Sequence, residues 1–345
     1  MTGKGAGKGP EHLPRPRVPC HLGAMSTLAP PAPFDRTAVR AHRARASAKL
    51  PDHDFLFAET ADRLLERLGD INREFAGVLD LGCRGGRLGS ALQARPGLSQ
   101  IVPSQIVQCD LAPEMAARAH AANGLNTIAA DEEWLPFAPE SFDLIVSNLA
   151  LHWVNDLPGA LTQIRRALRP DGLFLAAMFG AGTIEQLRTA LMAAEIEIEG
   201  GASPRVSPFA EVRDAGDLLT RAGFALPVAD LDTITVSFES ALHLMRDLSA
   251  MGEAGAVHER RKNFTRRATL MAAAQHYPTT ADERIEATFE VIWLAGWAPG
   301  PGQQQPLKPG SAKTRLADHL GATEQPAGDT VPGGGPRLGP KPNKG

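Results

Sequence analysis

The chain has 345 residues, a net charge of −3 and three cysteines, Cys20, Cys83 and Cys109. Its length suits one large or two small domains with a sizeable core, and its charge excludes a nucleic-acid binder driven by bulk electrostatics. The cysteines show no metal-ligand spacing and are too few for a disulfide framework, which fits a reducing compartment, and no apolar run approaches the roughly 20 residues of a membrane span.

Residues 1–50 hold nine Lys or Arg against only Glu11 and Asp35. That balance has the charge of a mitochondrial transit peptide, but GKGAGKGP and the prolines after it oppose a helix before about Phe34. Translation from Met25, in MSTLAPPAPFDR, is the simpler expectation. Residues 1–33 are expected to be a disordered extension, 34–298 a folded domain, and 299–345, rich in Pro and Gly, a largely disordered tail. The segment FDRTAVRAHRARASAKL predicts a basic helix carrying Arg36, Arg40, Arg43 and Arg45. It is either a solvated face or a docking surface for an acidic partner. FLFAETADRLLERL, Phe55 to Leu68, repeats apolar residues at helical spacing and should pack on a sheet.

Short apolar runs then alternate with helices. GVLDL, QIVQCD, NTIAAD, SFDLIVSN and GLFLAAMF predict five strands, with helices over GRLGSALQA, PEMAARAHAA and LPGALTQIRRAL. Such alternation predicts an α/β fold with a parallel sheet covered on both faces. ADLDTITVSF and ATFEVIWLAGW predict two late strands that form a hairpin-like edge. The helical sequence between them, including SALHLMRDLSAM, is expected to be a lid inserted between the last two strands.

Ligands of open α/β sheets bind at the C-terminal strand ends, and polar residues gather there. Asp80, Gly82, Cys83 and Gly86 follow the first strand, Asp110 and Leu111 the second, and Asp131 and Glu132 the third. Asn148 ends the fourth. A dinucleotide pyrophosphate wants glycine amides and no carboxylate nearby, with the spacing G-x-G-x-x-G; the run G-C-R-G-G-R-L-G does not match. S-adenosylmethionine has no phosphate and offers hydrogen-bond donors at its ammonium, ribose diol and adenine amine. Asp80, Asp110 and Asp131 supply one carboxylate for each, so S-adenosylmethionine is the expected cofactor.

VLDLGCRGG, CDLAPEM, ADEEWLPF and SFDLIVSNLALHW resemble the successive motifs of class I S-adenosylmethionine-dependent methyltransferases. The resemblance implies a Rossmann-like, seven-stranded sheet whose last strand runs antiparallel. SNLALHWVNDLPGALTQIRRALRPDGLFLAAMFG and GGASPRVSPFAEVRDAGDLLTRAGF narrow it to the mitochondrial complex I assembly factor 5 group and its bacterial relatives. A more distant resemblance is to the malonyl-acyl carrier protein O-methyltransferases. These imply a methyltransferase linked to respiratory complex I assembly, acting on a protein substrate, a complex I subunit among them, or on a small-molecule or acyl-carrier substrate. The compartment implied is the bacterial cytoplasm, or the mitochondrial matrix in a eukaryote. The assembly-factor group's mitochondrial member is understood to hydroxylate an arginine of a complex I subunit, so hydroxylation stays open, as does a cofactor-binding scaffold without chemistry. His152 and Asp156 are the nearest pair to a facial triad, and no second histidine accompanies them.

The family's loop reads G-C-G-x-G, and this chain departs from it at Arg84. If the turn re-registers so that Gly85 takes the left-handed position, Arg84 faces solvent and Arg84→Gly changes cofactor affinity little. If Arg84 instead sits against the sulfonium, cofactor affinity falls and Arg84→Gly tightens binding by relieving like-charge repulsion and crowding. A third arrangement pairs the arginine with a carboxylate such as Glu132 or Glu133 and closes the pocket. Catalytic candidates are His152 and Asn148, with His152 read equally as a structural histidine bonded at the following helix start. Trp153, Arg205 and Ser207 are expected to line the acceptor site.

Overall fold

A computed structural model describes residues 32–94, 105–303 and 321. The described residues up to Pro301 belong to one compact unit; of the second, 302–345, only Gly302, Gln303 and Gly321 are described. The expected N-terminal extension and C-terminal tail thus lie almost wholly outside the described residues, Met25 included.

The first helix, α1 (Arg36–Ala46), starts where the Asp35 carboxylate accepts from Ala38 N at 3.0 Å, satisfying a donor that the helix itself leaves free. The second, α2 (Phe55–Gly69), buries Leu56, Phe57, Ala61, Leu64, Leu65 and Leu68 along one stripe, the spacing that packs a helix on a sheet. Then follow β1 (Val78–Leu81), α3 (Arg87–Ala94), β2 (Ile106–Asp110), α4 (Pro113–Asn123), β3 (Asn126–Ala129) and β4 (Phe142–Asn148). After a short turn at Leu151–Trp153 come α5 (Leu157–Ala167), β5 (Leu168–Phe179), α6 (Glu185–Glu199), α7 (Val212–Arg221) and β6 (Ala225–Phe238). The last elements are α8 (Ala241–Met251), α9 (Arg267–His276) and β7 (Ile285–Trp297).

The seven strands form one sheet in the order β3-β2-β1-β4-β5-β7-β6. Strands β1 to β5 run parallel, and β7 is antiparallel to both β5 and β6. This is the class I methyltransferase order, with α8 and α9 inserted between the last two strands as expected. Strand alternation explains why both faces are covered. In β5, Leu173, Leu175, Ala177 and Phe179 join the core under α2, α6, α8 and α9, while Phe174, Ala176 and Met178 join the core under α5 and α7. The order reverses beside β1, so the ends of β1, β2 and β4 open onto one crevice.

Candidate functional site at the ends of β1, β2 and β4

The turn after β1 is fixed by its own backbone. Gly82 N and Cys83 N both donate to Cys109 O at 2.9 Å, and Gly86 N donates to Cys83 O at 2.8 Å. Gly82 has φ +74°, and a Cβ there would lie 2.2 Å from the Ala150 Cβ, so only glycine fits. Between the two glycines Arg84 itself adopts φ +51°. The expected re-registration around Gly85 does not occur, and Arg84 does not face solvent. Its backbone N donates to Asp110 Oδ2 at 3.1 Å, so shifting the strained position by one residue would break that bond and the turn around it. Its side chain is 3% exposed, and Nη2 donates to Leu149 O at 2.8 Å and to Glu253 Oε1 at 2.5 Å. The pairing carboxylate is therefore Glu253, not Glu132 or Glu133.

The strand-end acids converge as their spacing implied. Asp80 and Asp110 are fully buried. Asp80 Oδ2 accepts from Gln108 Nε2 at 3.2 Å, while Oδ1 is buried with no hydrogen-bond partner of good geometry. Burial pushes the Asp80 carboxyl up to about 7, and Asp110 nearby adds to that rise. Asp110 Oδ1 accepts from Ala112 N at 2.9 Å and lies 3.5 Å from Arg43 Nη1. Glu132, also fully buried, pairs with both Arg43 and Arg36; Arg36 also holds Asp131 at the partly exposed rim. Burial opposes ionisation of Glu132, but the Arg43 and Arg36 guanidiniums outweigh it and hold its pKa at about 2.

Helix α1 is consequently neither wholly solvated nor wholly free for a partner. Arg36 and Arg43, two turns apart and so on one face, point into the acids, while Arg40 and Arg45 are exposed. Leu111 is half-buried against Phe34, Ala38, Val39 and Trp153. Cys83 is buried, and burial pushes its thiol well above the usual range, leaving it unreactive.

A buried carboxylate that sequence reasoning missed organises the other half of the site. Glu253, in the turn after α8, accepts from Arg84 Nη2, from His152 Nε2 at 3.0 Å and from Trp153 Nε1 at 2.8 Å. Burial works against its charge, but Arg84 and His152 hold its pKa at about 2. AMGEAG has no spacing that announces this role; only the fold brings it beside residues about a hundred positions away. His152 is neutral, its pKa pushed down by burial against the pull of Glu253. With Nε2 donating to Glu253, Nδ1 is the acceptor for Phe179 N, at 3.5 Å. Asn148 is tied to α2: its Oδ1 accepts from Thr60 Oγ1 at 2.7 Å and its Nδ2 donates to Phe57 O at 2.9 Å. Neither candidate base has a free acceptor facing an incoming substrate, and His152 bonds to Glu253 rather than to the following helix start.

Trp153, Arg205 and Ser207, the expected acceptor residues, meet around one cavity of about 190 Å³, walled by aliphatic side chains of α6 and α8 and reaching Glu253. Ser207 is 2% exposed, and its Oγ has no partner. Arg205 is committed elsewhere: Nε donates to Glu195 Oε1 at 2.7 Å and Nη1 to Thr265 Oγ1 at 2.8 Å. A wider groove of about 800 Å³ shares Arg205, Val206 and Phe209 with the inner cavity and runs past Arg188, Met192 and His258.

The acids at the strand ends have the chemistry to hold S-adenosylmethionine: the Asp80 carboxyl, which lines the space after β1, suits an ammonium, and Asp110, at the end of β2, suits a ribose diol. The room is another matter. Between Asp80, Gly82, Cys83, Asn148 and Phe57 only about 10 Å³ remains beside Arg84, space for a single water at most. Among the described residues no cluster of three His, Cys, Asp or Glu has metal-ligand geometry, and no helix is long and apolar enough to cross a membrane.

Comparison with known proteins agrees with the fold. Residues 79–176, which span β1 to β5, match the methyltransferase domain family. The chain is 38% identical over 291 residues to the mitochondrial arginine-hydroxylase NDUFAF5 of Danio rerio, covering 83% of this chain and 88% of that protein. It is 40% identical over 326 residues to the Mus musculus counterpart, covering 89% and 92%. The malonyl-[acyl-carrier protein] O-methyltransferase of Xylella fastidiosa is 36% identical over 269 residues, covering 77% and 89%. The cofactor of this domain is S-adenosylmethionine, and the chain is an enzyme of the class I methyltransferase family, in the group shared by the NDUFAF5 arginine-hydroxylases and the malonyl-acyl carrier protein O-methyltransferases.

Proposed function

We propose that this enzyme modifies an arginine side chain of a protein substrate, by S-adenosylmethionine-dependent methyl transfer, as a step in respiratory complex I assembly. The observation that carries the reading is the inner cavity. Its aliphatic walls suit a long methylene stem, and at its end stands Glu253, a carboxylate held ionised. The unpartnered Ser207 Oγ offers an acceptor beside it. A carboxylate with a pKa of about 2 is a seat for a cation and a poor acceptor of protons, so Glu253 is assigned to orienting the substrate. The guanidinium of Arg84 on Glu253 shows that the carboxylate takes that group at hydrogen-bonding distance. The outer groove, about 800 Å³ and lined by Met192, Val206, Phe209 and Val257 with Arg188, would receive the polypeptide that leads the side chain inward.

When bound, the cofactor would supply an electrophilic methyl group, and the protein's part is to hold the acceptor in line with it. Asp80 and Asp110 would orient the cofactor, and Trp153 would close the acceptor cavity against water. A second reading, hydroxylation of the arginine, is favoured by the name of the NDUFAF5 relatives. The test is intact-mass comparison of the complex I peripheral-arm subunits from cells with and without this protein. Methylation adds a CH₂ to one subunit and hydroxylation adds one oxygen, each mapped to an arginine by peptide fragmentation. Subunits of identical mass in both cells would sink both reactions. The enzyme's compartment is expected to be that of the complex's soluble arm, the bacterial cytoplasm or the mitochondrial matrix.

A further inference from the structure

We propose that Arg84 is an internal competitor for the methionyl end of S-adenosylmethionine: its guanidinium fills that subsite, and the side chain must swing out before the cofactor can seat. This rests on the cofactor; it meets the acceptor assigned above only at Glu253, whose Oε1 the departure of Arg84 frees.

Three observations place the guanidinium in the subsite. The Arg84 backbone is pinned to Asp110, the acid at the end of β2. The side chain crosses the mouth of the crevice over the Phe57 ring, 5.3 Å from its centroid, to reach Leu149 O and Glu253 on the far side. What remains beside it among Asp80, Gly82 and Asn148 is about 10 Å³. A methionyl group, many times that volume, does not share the space.

The side chain is poorly rewarded where it sits. Nε and Nη1 are buried without partners, and an unmet buried donor is costly. Burial and the neighbouring Arg43 push its pKa down, against the pull of Glu253. Its φ of +51° is one that a non-glycine residue adopts only with strain.

It also has a place to go. Phe57 and Arg84 also line a second cavity, of about 280 Å³, together with Asp54, Arg87 and Arg118. Rotation about the side-chain bonds into that cavity would give up the Glu253 carboxylate and let the two unmet N–H donors reach open space, beside Asp54, which Arg87 already faces at 3.9 Å. The exchange suits the charge of the pocket as well. The cofactor's sulfonium, ammonium and carboxylate together carry one net positive charge, so its arrival replaces the departing guanidinium charge beside Asp80 and Asp110. Arg84 thus sets the cofactor affinity of this chain, at the position where its loop departs from the glycine pattern.

The test is calorimetric titration of the full chain with S-adenosylmethionine, in wild type, Arg84→Gly, Glu253→Gln and Arg84→Gly/Asp110→Ala. The apparent affinity of a site scales with the fraction of chains in the competent form, so removing a plug that occupies most chains tightens binding by about tenfold or more. Glu253→Gln, which weakens the latch while leaving the arginine in place, should tighten binding by a smaller factor. Adding Asp110→Ala to Arg84→Gly should weaken binding again by about tenfold, because a charge-assisted acceptor is lost, and that loss places the cofactor among the acids. Equal or weaker binding by Arg84→Gly, with Asp110→Ala still damaging, would overturn the plug and leave the cofactor site standing. Binding insensitive to both substitutions would overturn both.

Discussion

His152 Nε2 lies 3.0 Å from Glu253 Oε2, with both side chains almost completely removed from solvent. The carboxylate is ionised and the imidazole neutral, so the contact is a hydrogen bond to a charged acceptor, not a salt bridge. Glu253 serves three buried donors, whereas His152 serves one strong acceptor. Their removal should therefore cost different amounts. Glu253→Ala strands Arg84, His152 and Trp153 together and is expected to destabilise the fold by about 3 kcal/mol or more. His152→Gln leaves Glu253 with two donors and should cost about 1 kcal/mol. Urea denaturation midpoints of the two variants decide it, and equal losses would show that the imidazole, not the carboxylate, is the centre of the network. The His152 contribution is fully present above the unfolded imidazole's pKa of about 6.5 and declines as the pH falls below it, since the folded-state pKa is depressed. That slope should vanish in His152→Gln.

Two arginines seven residues and two helical turns apart, Arg36 and Arg43, tie α1 to the strand ends, and the pairs are unequal. Arg43 and Glu132 are both fully buried, while Arg36 and Asp131 retain partial exposure. Arg43→Met leaves Glu132 buried with Arg36 alone and is expected to cost about 3 kcal/mol. Arg40→Ala, on the solvent face of the same helix, should change stability by no more than about 0.5 kcal/mol. Differential scanning calorimetry of the two variants tests this, and a comparable drop in melting temperature for Arg40→Ala would mean that the exposed side of α1 is packed against something.

What was legible in the sequence follows a physical line. Periodicity announced the strands because GLFLAAMF and SFDLIVSN are apolar on both faces, which only a doubly covered parallel sheet requires. Strand ends announced Asp80, Asp110, Asp131 and Glu132, because an acid that closes an apolar run in an α/β sheet has few other places to be. Trp153 was read from its place after the fourth strand and Arg205 and Ser207 from GGASPRVSPF, and the fold does gather them around one cavity. The direction of side chains was not legible. Nothing in RTAVRAHRARA says which arginines turn inward, since the acids that attract them lie about ninety residues further along. Glu253 was invisible for the same reason. Arg84 was misjudged because a long cation was expected to snorkel to water; the buried carboxylate across the crevice gives it a partner inside instead.

Asp80 gives the site a pH dependence of opposite sign to the usual carboxylate. Burial raises its folded-state pKa from the ordinary carboxyl value of 3.8 to about 7. Between those values the folded chain keeps a proton that the unfolded chain has lost, so stability falls as the pH rises from about 4 to about 7 and is level above that. Asp80→Asn carries no such proton and should flatten this part of the curve, which melting temperatures from pH 4 to pH 8 would show. Cofactor binding has the matching dependence. An ammonium group needs the ionised carboxylate, so affinity for S-adenosylmethionine should rise as the pH approaches and passes 7, with a proton released on binding below it. Titrations in two buffers of different ionisation enthalpy measure that proton directly, and Asp80→Asn should bind more weakly with none released from this position. An affinity that is flat from pH 6 to pH 8 in the wild type, with no proton released, would place the ammonium away from Asp80 and leave that carboxyl as a neutral hydrogen-bonding group beneath the turn.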